Sequence, residues 1–203
     1  MIRFGVIGTN WITDRFIQAA ERVEGFHLEA VYSRKEERAK AFAETHNINR
    51  CFTDIQEMAN KEYIDAVYIA SPNSFHASQA ITFMNNGIHV LCEKPLASNE
   101  KEVQQMIASA KDNNVLLMEA VRTTFLPNFH VLREKLPTLG VIRKVNVSCC
   151  KYSSRYDAYK EGRVLNAFNP DFSNGALMDL GVYCLYPMIV LFGEPEEVTA
   201  TGI

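Results

Sequence analysis

The fold of this chain is decided by the stretch IRFGVIGTNWIT, residues 2–13. Its first half, Ile2 to Ile7, is mostly apolar at successive positions, as in a strand that is covered on both faces. Gly8 then permits a tight turn, and a helix is expected to follow it. A buried strand that passes through a glycine turn into a helix predicts the first unit of a parallel sheet covered by helices.

The same alternation continues for about a hundred residues. Further strands are predicted at 26–32, about 50–52, 66–69, 89–92 and 115–119. Amphipathic helices with polar starts are predicted at 35–46, 75–86 and 99–113. The pattern indicates the α/β class, with a Rossmann-type doubly wound parallel sheet as a first domain over residues 1–122.

The pattern changes after Thr123, and a second domain is expected over residues 123–203. Its predicted parts are a helix to about residue 136, a period-two strand at 141–149, a long polar loop at 152–174, a helix at 175–191 and a strand at 197–201. These roughly 80 residues are barely enough to close a sheet around a core.

The composition excludes several classes of protein. Apolar residues at 47% and charged residues at 22% are typical of a globular chain. A formal charge of -3 provides no basic field for nucleic acid or for an anionic membrane, so neither is an expected partner. The start of the chain is unlike a signal or transit peptide, and its apolar runs are short for a bilayer, so a cytoplasmic protein is predicted. The five cysteines form no CxxC pair, which indicates buried reduced thiols and no metal site.

The turn after the first strand is a candidate site for a dinucleotide pyrophosphate, because backbone amides and a helix N-terminus favour an anion. The fingerprint GxGxxG falls on Gly8, Asn10 and Thr13, so only its first glycine is present. Asn tolerates left-handed backbone angles, so the turn is expected to form even though this glycine is absent. A plain strand-to-helix turn is the alternative. The candidate pyrophosphate residues are Gly8, Thr9, Asn10, Trp11 and Ile12.

The end of the second strand favours NADP over NAD. An acidic side chain there would bind the ribose hydroxyl of NAD, but the sequence has Ser33 and Arg34, with Arg38 one helical turn later. These donors could surround a 2'-phosphate. The alternative is a solvated, charged start of a helix.

Two more strand ends carry polar residues where open parallel sheets bind ligands. After the fourth strand come Ser71, Pro72, Asn73 and His76, and after the fifth come Glu93 and Lys94. A lysine held there supplies a fixed positive charge that can orient a hydroxyl or carbonyl group. A surface lysine before a proline turn is the alternative.

Together these residues resemble the glucose-fructose oxidoreductase / inositol dehydrogenase (Gfo/Idh/MocA) family, above all in Glu93-Lys94-Pro95. The match continues in the second domain, where NGALMDLGVY at 174–183 resembles the family's GGALxDxGxH/Y helix. Asp179 and Tyr183 are four residues apart on that helix and therefore share one face.

The resemblance implies an oxidoreductase acting on a sugar, polyol or cyclic diol. A tyrosine at 183, where many members have histidine, resembles the branch of dihydrodiol dehydrogenase, D-xylose dehydrogenase and glucose-fructose oxidoreductase. That branch implies a proton-transfer pair of Lys94 and Tyr183, with Asp179 binding substrate hydroxyls or orienting the tyrosine. His76 is expected near the nicotinamide, and Ser71, Pro72, Asn73 and Glu93 beside the cofactor.

Family members are usually longer, with a wide second-domain sheet that often forms the dimer contact. Residues 123–203 are therefore expected to be the first, truncated part of an α+β substrate and oligomerisation domain, and a homo-oligomer through its sheet is predicted. Two alternatives remain open: a nucleotide-binding sensor of the same fold, and an inactive fragment. Retention of both Lys94 and Tyr183 favours the enzyme, because a sensor does not need a proton-transfer pair.

Overall fold

A computed structural model describes residues 1–202, which divide into two compact units. The first unit contains Met1–Ala120 together with Asp171–Ser173. The second contains Val121–Pro170 and the residues from Asn174 onward.

The first unit is built on one six-stranded sheet with the strand order β3-β2-β1-β4-β5-β6. All neighbouring strands are parallel. The strands are β1 (Ile2–Ile7), β2 (Phe26–Tyr32), β3 (Arg50–Phe52), β4 (Ala66–Ile69), β5 (His89–Cys92) and β6 (Leu117–Glu119). This order is that of a doubly wound dinucleotide-binding sheet, and it confirms the predicted fold class.

Five α-helices connect these strands: α1 (Trp11–Ala20), α2 (Glu36–His46), α3 (Ile55–Met58), α4 (His76–Asn85) and α5 (Glu100–Asp112). Local chemistry explains where several of them begin. The side chains of Asp54 and Asn99 accept hydrogen bonds from Gln56 and Glu102 amides at the starts of α3 and α5. At the other end of α2, Asn47 adopts the left-handed conformation that ends many helices.

Both faces of the sheet are buried, which explains the continuous apolar runs in its strands. Val67 and Ile69 of β4 join a buried cluster with Phe83 of α4, whereas Tyr68 joins another with Ile17 of α1. Burial of each such side chain contributes about 1.5–3 kcal/mol. The strands are therefore held in place by both clusters, which fixes where the loops that follow them begin.

The sheet reverses its direction of winding between β1 and β4, which lie side by side. At such a point the helices that follow the two adjacent strands pack on opposite faces of the sheet, and a crevice forms outside the carboxyl ends of the strands. Gly8, Ser33, Ser71 and Glu93 follow the ends of β1, β2, β4 and β5. The predicted nucleotide residues of the first unit therefore lie along one edge of the sheet.

The second unit is helical in the residues that the structure describes. Its α-helices are α6 (Pro127–Lys135), α7 (Tyr156–Lys160) and α8 (Val182–Phe192), and a π-helical turn, Leu177–Gly181, leads into α8. The predicted loop at 152–174 contains α7 and short 3-10 turns. The predicted strands at 141–149 and 197–201 are not formed. A strand needs a hydrogen-bonded neighbour, and residues 1–202 supply none for either stretch.

Two expectations from composition were wrong. The stretch Pro170–Phe192 is long and apolar enough to cross a membrane by length and composition alone, and its most apolar 18-residue window has a mean hydropathy of 1.7. Whether a helix could cross a membrane depends on the mean hydropathy over a helix-length window, so an uninterrupted apolar run is not required. A core helix of a soluble protein can reach the same mean hydropathy. Of the cysteines, Cys92 is buried, but Cys51, Cys149 and Cys150 are exposed. The absence of a membrane partner, the cytoplasmic location and the homo-oligomer stay predictions.

Candidate functional site

The turn between β1 and α1 requires glycine at its first position. Gly8 has a φ of 99°, a conformation that residues with a side chain rarely adopt. A Cβ atom on Gly8 would lie 2.6 Å from the carbonyl oxygen of Ala70, which follows β4. The close approach of the two loops therefore excludes any other residue here.

Asn10 supports the turn in a way that differs from the expectation of a left-handed backbone. Its φ of -119° and ψ of 171° are extended, as at the N-cap of a helix. The side-chain oxygen accepts a hydrogen bond from the Ile12 amide at 2.9 Å, and the side-chain nitrogen donates to the Ala70 carbonyl at 2.9 Å. Asn10 thus caps α1 and joins the turn to the end of β4.

The cap leaves a set of donors that suits an anion. The backbone amides of Thr9, Asn10 and Trp11 find no acceptor within residues 1–202. They lie at the N-terminus of α1, which carries the positive end of the helix dipole. Thr13, at the third fingerprint position, is fully buried, and its hydroxyl has no partner among the described residues. This cradle fits a dinucleotide pyrophosphate.

Basic groups follow β2 at the same edge of the sheet. Arg34 is exposed, and its guanidinium carbon lies 5.9 Å from the centre of the Phe75 ring. Phe75 belongs to the 3-10 turn after β4, and this cation–π contact holds the arginine side chain towards that loop. Arg38 is exposed in the first turns of α2, and Ser33 donates its amide to the Phe52 carbonyl. Phe75 was missed from the sequence, since an aromatic residue in a loop carries no specific signal.

The loop after β4 is held by its own polar side chains. The Ser71 hydroxyl donates to the side-chain oxygen of Gln79 in α4 at 2.7 Å. The side-chain nitrogen of Asn73 donates to the Ser173 carbonyl at 3.0 Å, and the ring of Phe75 lies 6.2 Å from that of Phe172. Contacts of Ser71, Pro72 and Asn73 with a cofactor stay a prediction.

His76 connects two loops instead of facing solvent. It is fully buried at the start of α4, with Nδ1 2.9 Å from the Pro95 carbonyl oxygen and Nε2 2.9 Å from the Ser71 carbonyl oxygen. Burial lowers the pKa of the ring against the opposing effect of these carbonyls. Both nitrogens face carbonyl oxygens of the protein, and a neutral ring donates to one of the two, so the geometry gives His76 a positioning role. The predicted proximity to nicotinamide stays a prediction.

The turn after β5 is the most densely hydrogen-bonded part of this edge. The Tyr68 hydroxyl donates to Glu93 Oε1 at 2.6 Å, and the Lys94 amide donates to Glu93 Oε2 at 3.2 Å. The Leu96 amide donates to Glu119 Oε1 at 2.8 Å. Tyr68 and Glu119 lie in the neighbouring strands β4 and β6, and neither was selected from the sequence.

The protonation states of the two neighbours follow from their surroundings. Burial and the charge of Glu93 raise the pKa of the Tyr68 phenol, so it remains a protonated donor. Burial also raises the pKa of the Glu119 carboxyl, opposed by the hydrogen bond from Leu96 and by the charge of Lys94. The edge therefore combines an obligatory donor with a carboxyl group that is partly desolvated.

Asp179 and Tyr183 lie in the second unit. Asp179 is in the π-helical turn, where its amide donates to the Gly175 carbonyl at 2.9 Å, and Tyr183 is in the first turn of α8. At Gly181 between them, a Cβ atom would lie 2.7 Å from the Leu177 side chain, so the turn packs closely. Lys94 belongs to the first unit, and its pairing with Tyr183 stays a prediction. Among residues 1–202 no cluster of His, Cys, Asp and Glu could hold a metal ion.

Comparisons with known proteins agree with this geometry. The sequence model of the Gfo/Idh/MocA family, described as an oxidoreductase family with an NAD-binding Rossmann fold, matches residues 2–121. The whole chain is 60% identical over 202 residues to scyllo-inositol 2-dehydrogenase (NADP(+)) IolU of Bacillus subtilis (strain 168). It is 34% identical over 208 residues to trans-1,2-dihydrobenzene-1,2-diol dehydrogenase of Danio rerio.

The chain spans 62% of the length of the first of these relatives and 60% of the second. Among solved structures, it is similar to KijD10, a 3-ketoreductase from Actinomadura kijaniata, in complex with NADP and TDP-benzene. That similarity has a TM-score of 0.77 at 27% identity and covers 95% of this chain and 57% of that one.

Proposed function

Since this chain belongs to the Gfo/Idh/MocA oxidoreductase family, which has an NAD-binding Rossmann fold, we propose that it is an NADP-dependent dehydrogenase of a sugar, polyol or cyclic diol. One observation carries the proposal. The Gly8 turn, Arg34 and Lys94 follow the carboxyl ends of three strands of one parallel sheet, β1, β2 and β5. An anion cradle, a cationic side chain and a candidate acid–base group thus share one edge.

Two observations support NADP as the cofactor. The amides of Thr9, Asn10 and Trp11 suit the pyrophosphate, and Arg34 supplies the charge that a 2'-phosphate requires, with no carboxylate in the Ser33–Lys35 turn. The Bacillus subtilis relative carries NADP(+) in its name, and the KijD10 structure contains NADP.

The substrate class follows from the names of the relatives. Scyllo-inositol and trans-1,2-dihydrobenzene-1,2-diol are both six-membered carbon rings with hydroxyl groups on adjacent carbons. We infer that this chain oxidises one secondary hydroxyl group of such a ring, and scyllo-inositol is the first compound to test because of the 60% identity.

Lys94 and Tyr183 would handle the proton of that hydroxyl group, and NADP when bound supplies the hydride acceptor. Tyr183 takes the hydroxyl proton as the carbon loses its hydride, and it returns a proton to the oxygen in the reverse direction. The Lys94 ammonium stabilises the negative charge of the phenolate. Asp179 accepts hydrogen bonds from neighbouring substrate hydroxyls.

The proposal is tested by following NADP reduction with scyllo-inositol. Tyr183→Phe is expected to lower kcat by about 10²–10⁴, the usual contribution of a general acid or base, with unchanged affinity for NADPH. Tyr186→Phe, in the same helix, is the matched control and should keep wild-type turnover.

Turnover by Tyr183→Phe at close to the wild-type rate would refute the proton-transfer role. Tight NADPH binding by the wild-type chain, without turnover of any inositol, sugar or cyclic diol, would instead favour a nucleotide-binding sensor.

A further inference from the structure

The Glu93–Leu96 turn, which carries Lys94, is held from both sides by side chains that its own sequence does not contain. Strand β5 lies between β4 and β6, and Tyr68 and Glu119 belong to these two neighbours. Tyr68 is paired with Leu91 in the ladder, and Glu119 with Cys92, the last residue before the turn. Both side chains therefore start within one residue of the end of β5.

Tyr68 acts on the backbone of Lys94 through one carboxylate. Its ring is 2% exposed and stacks on Phe16 with 4.0 Å between ring centres, so the hydroxyl has a fixed position. That hydroxyl donates to Glu93 Oε1, while Glu93 Oε2 accepts the Lys94 amide. Fixing one oxygen of the planar carboxylate also fixes the other, and with it the peptide that carries the lysine.

Glu119 acts on the other side of Lys94. Its Oε1 accepts the Leu96 amide at 2.8 Å, two residues after the lysine. The Pro95 carbonyl between them faces Nδ1 of the buried His76. The backbone groups on both sides of the lysine are thus held by side chains from β4, β6 and α4.

Polar groups of this kind have to keep their hydrogen-bond partners. A buried hydroxyl or carboxylate is unfavourable once its partner is lost, whereas apolar side chains of the same shape carry no such requirement. The partners of Tyr68 and Glu119 both lie in one turn, the one that carries Lys94.

We propose that Tyr68 and Glu119 are positioning residues for Lys94, which they hold through the Glu93 carboxylate and the Leu96 amide. The inference rests on the proposed function, because it assigns these residues to the turn of the candidate proton-transfer lysine. In this role Tyr68 and Glu119 act through their hydrogen bonds to the Glu93 carboxylate and the Leu96 amide.

The first test is the rate of polyol oxidation in Tyr68→Phe, which removes one hydroxyl group and keeps the stacked ring. A small misplacement of a catalytic group is expected to lower kcat by about tenfold to a hundredfold with an unchanged KM for NADP. Tyr63→Phe is the matched control, since Tyr63 stacks on Phe52 elsewhere in the same unit. In a Lys94→Ala background, Tyr68→Phe should cause no further loss, because the group that it positions is gone.

The second test is amide hydrogen exchange, which needs neither cofactor nor turnover. Tyr68→Phe should speed exchange of the Lys94 amide by at least about tenfold, the effect of losing about 1.4 kcal/mol of protection. Glu119→Ala should do the same for Leu96, and Glu119→Gln should restore protection because its amide oxygen still accepts. The Glu93 amide, bonded to the Ile69 carbonyl, is the internal reference.

Equal acceleration of the Glu93 and Lys94 amides, or none, would overturn the inference, as would an undiminished kcat in Tyr68→Phe. The inference would also be overturned if Tyr68→Phe lowered kcat by the same factor in the wild-type and the Lys94→Ala backgrounds, because that result would indicate general destabilisation. If the wild-type chain oxidises no polyol but the exchange pattern is as expected, the proposed function is wrong, whereas the hydrogen bonding of the Lys94 turn by Tyr68 and Glu119 is confirmed.

Discussion

Gly8 and Asn10 hold the β1–α1 turn by different means. Gly8 provides a backbone angle and a space that a side chain would fill, because its neighbour is the Ala70 carbonyl oxygen. Asn10 is an N-cap, and its amide group bonds both the helix start and that same carbonyl. At the second fingerprint position, where glycine is absent, the side-chain hydrogen bonds of Asn10 therefore stabilise the turn.

Among the candidate phosphate donors Ser33, Arg34 and Arg38, Arg34 is expected to contribute most to cofactor choice. Arg34→Ala should weaken NADPH binding by about tenfold to a hundredfold, the effect of one charged hydrogen bond of about 1.5–3 kcal/mol, and should leave NADH nearly unaffected. Trp11 is the only tryptophan of the chain and lies at the start of α1, so quenching of its fluorescence can report both titrations.

Arg22→Ala removes the same charge from an exposed position just after α1 and is the control for net charge. An equal loss of affinity for NADPH and NADH in Arg34→Ala would contradict the phosphate assignment.

At the scale of elements, the central pairing of β1 with β4 carries its own ion pair. Arg3 of β1 donates from its backbone amide and its guanidinium to Asp65, the residue before β4, at 2.7–3.0 Å. These bonds lower the pKa of the Asp65 carboxyl from 3.8 to about 2. The two strands that border the crevice are thus joined at their amino ends as well.

Asp65→Asn should therefore destabilise the protein in a pH-dependent way. The ionised carboxylate contributes its full stabilisation above about pH 4, and this is lost as the pH falls towards about 2, because the folded-state pKa is the lower one. We expect a melting temperature lower by roughly 2–4 °C at neutral pH, since the pair is partly exposed.

Thermal unfolding from pH 7 to pH 2 measures this difference, which should be much smaller at the acid end, where about half of the folded-state carboxyl is protonated. Asp112→Asn, at the exposed end of α5, is the control. A difference that stays constant down to pH 2 would show that the ionised pair is not its source.

At the scale of the whole molecule, the two units differ in how they bury apolar surface. The first has a buried cluster on each face of its sheet. In the second, Val141, Val145 and Val147 are exposed along a stretch without a paired strand, and Leu185 and Ile189 of α8 are exposed as well. The stability of the described chain therefore resides mainly in the nucleotide-binding unit.

A cofactor that binds this unit should stabilise the whole chain by mass action. At a free concentration about a hundredfold above its Kd, NADPH is expected to add about 2.7 kcal/mol to the free energy of unfolding. NADH at the same concentration should raise the melting temperature less. Differential scanning fluorimetry measures both shifts, and equal shifts for the two nucleotides would contradict the preference for NADP.

The sequence by itself determined the parallel sheet, the order of its strands and helices, and the family, because these depend on local apolar periodicity and on short motifs such as Glu93-Lys94-Pro95. Most helix and strand limits of the first unit were predictable to within one or two residues. The candidate residues at the strand ends were found for the same reason, since parallel strands bring their carboxyl ends to one edge.

Only the tertiary structure decided what surrounds those residues. Tyr68 and Glu119 meet the Glu93–Leu96 turn from 25 and 23 residues away, and no local pattern encodes such contacts. The second hydrogen bond of Asn10, to the Ala70 carbonyl, also joins residues 60 positions apart. The stretch at 141–149 has the alternation of a strand but no partner strand among the described residues. A strand forms only where a neighbouring strand can accept and donate its backbone hydrogen bonds, so its own sequence is not sufficient.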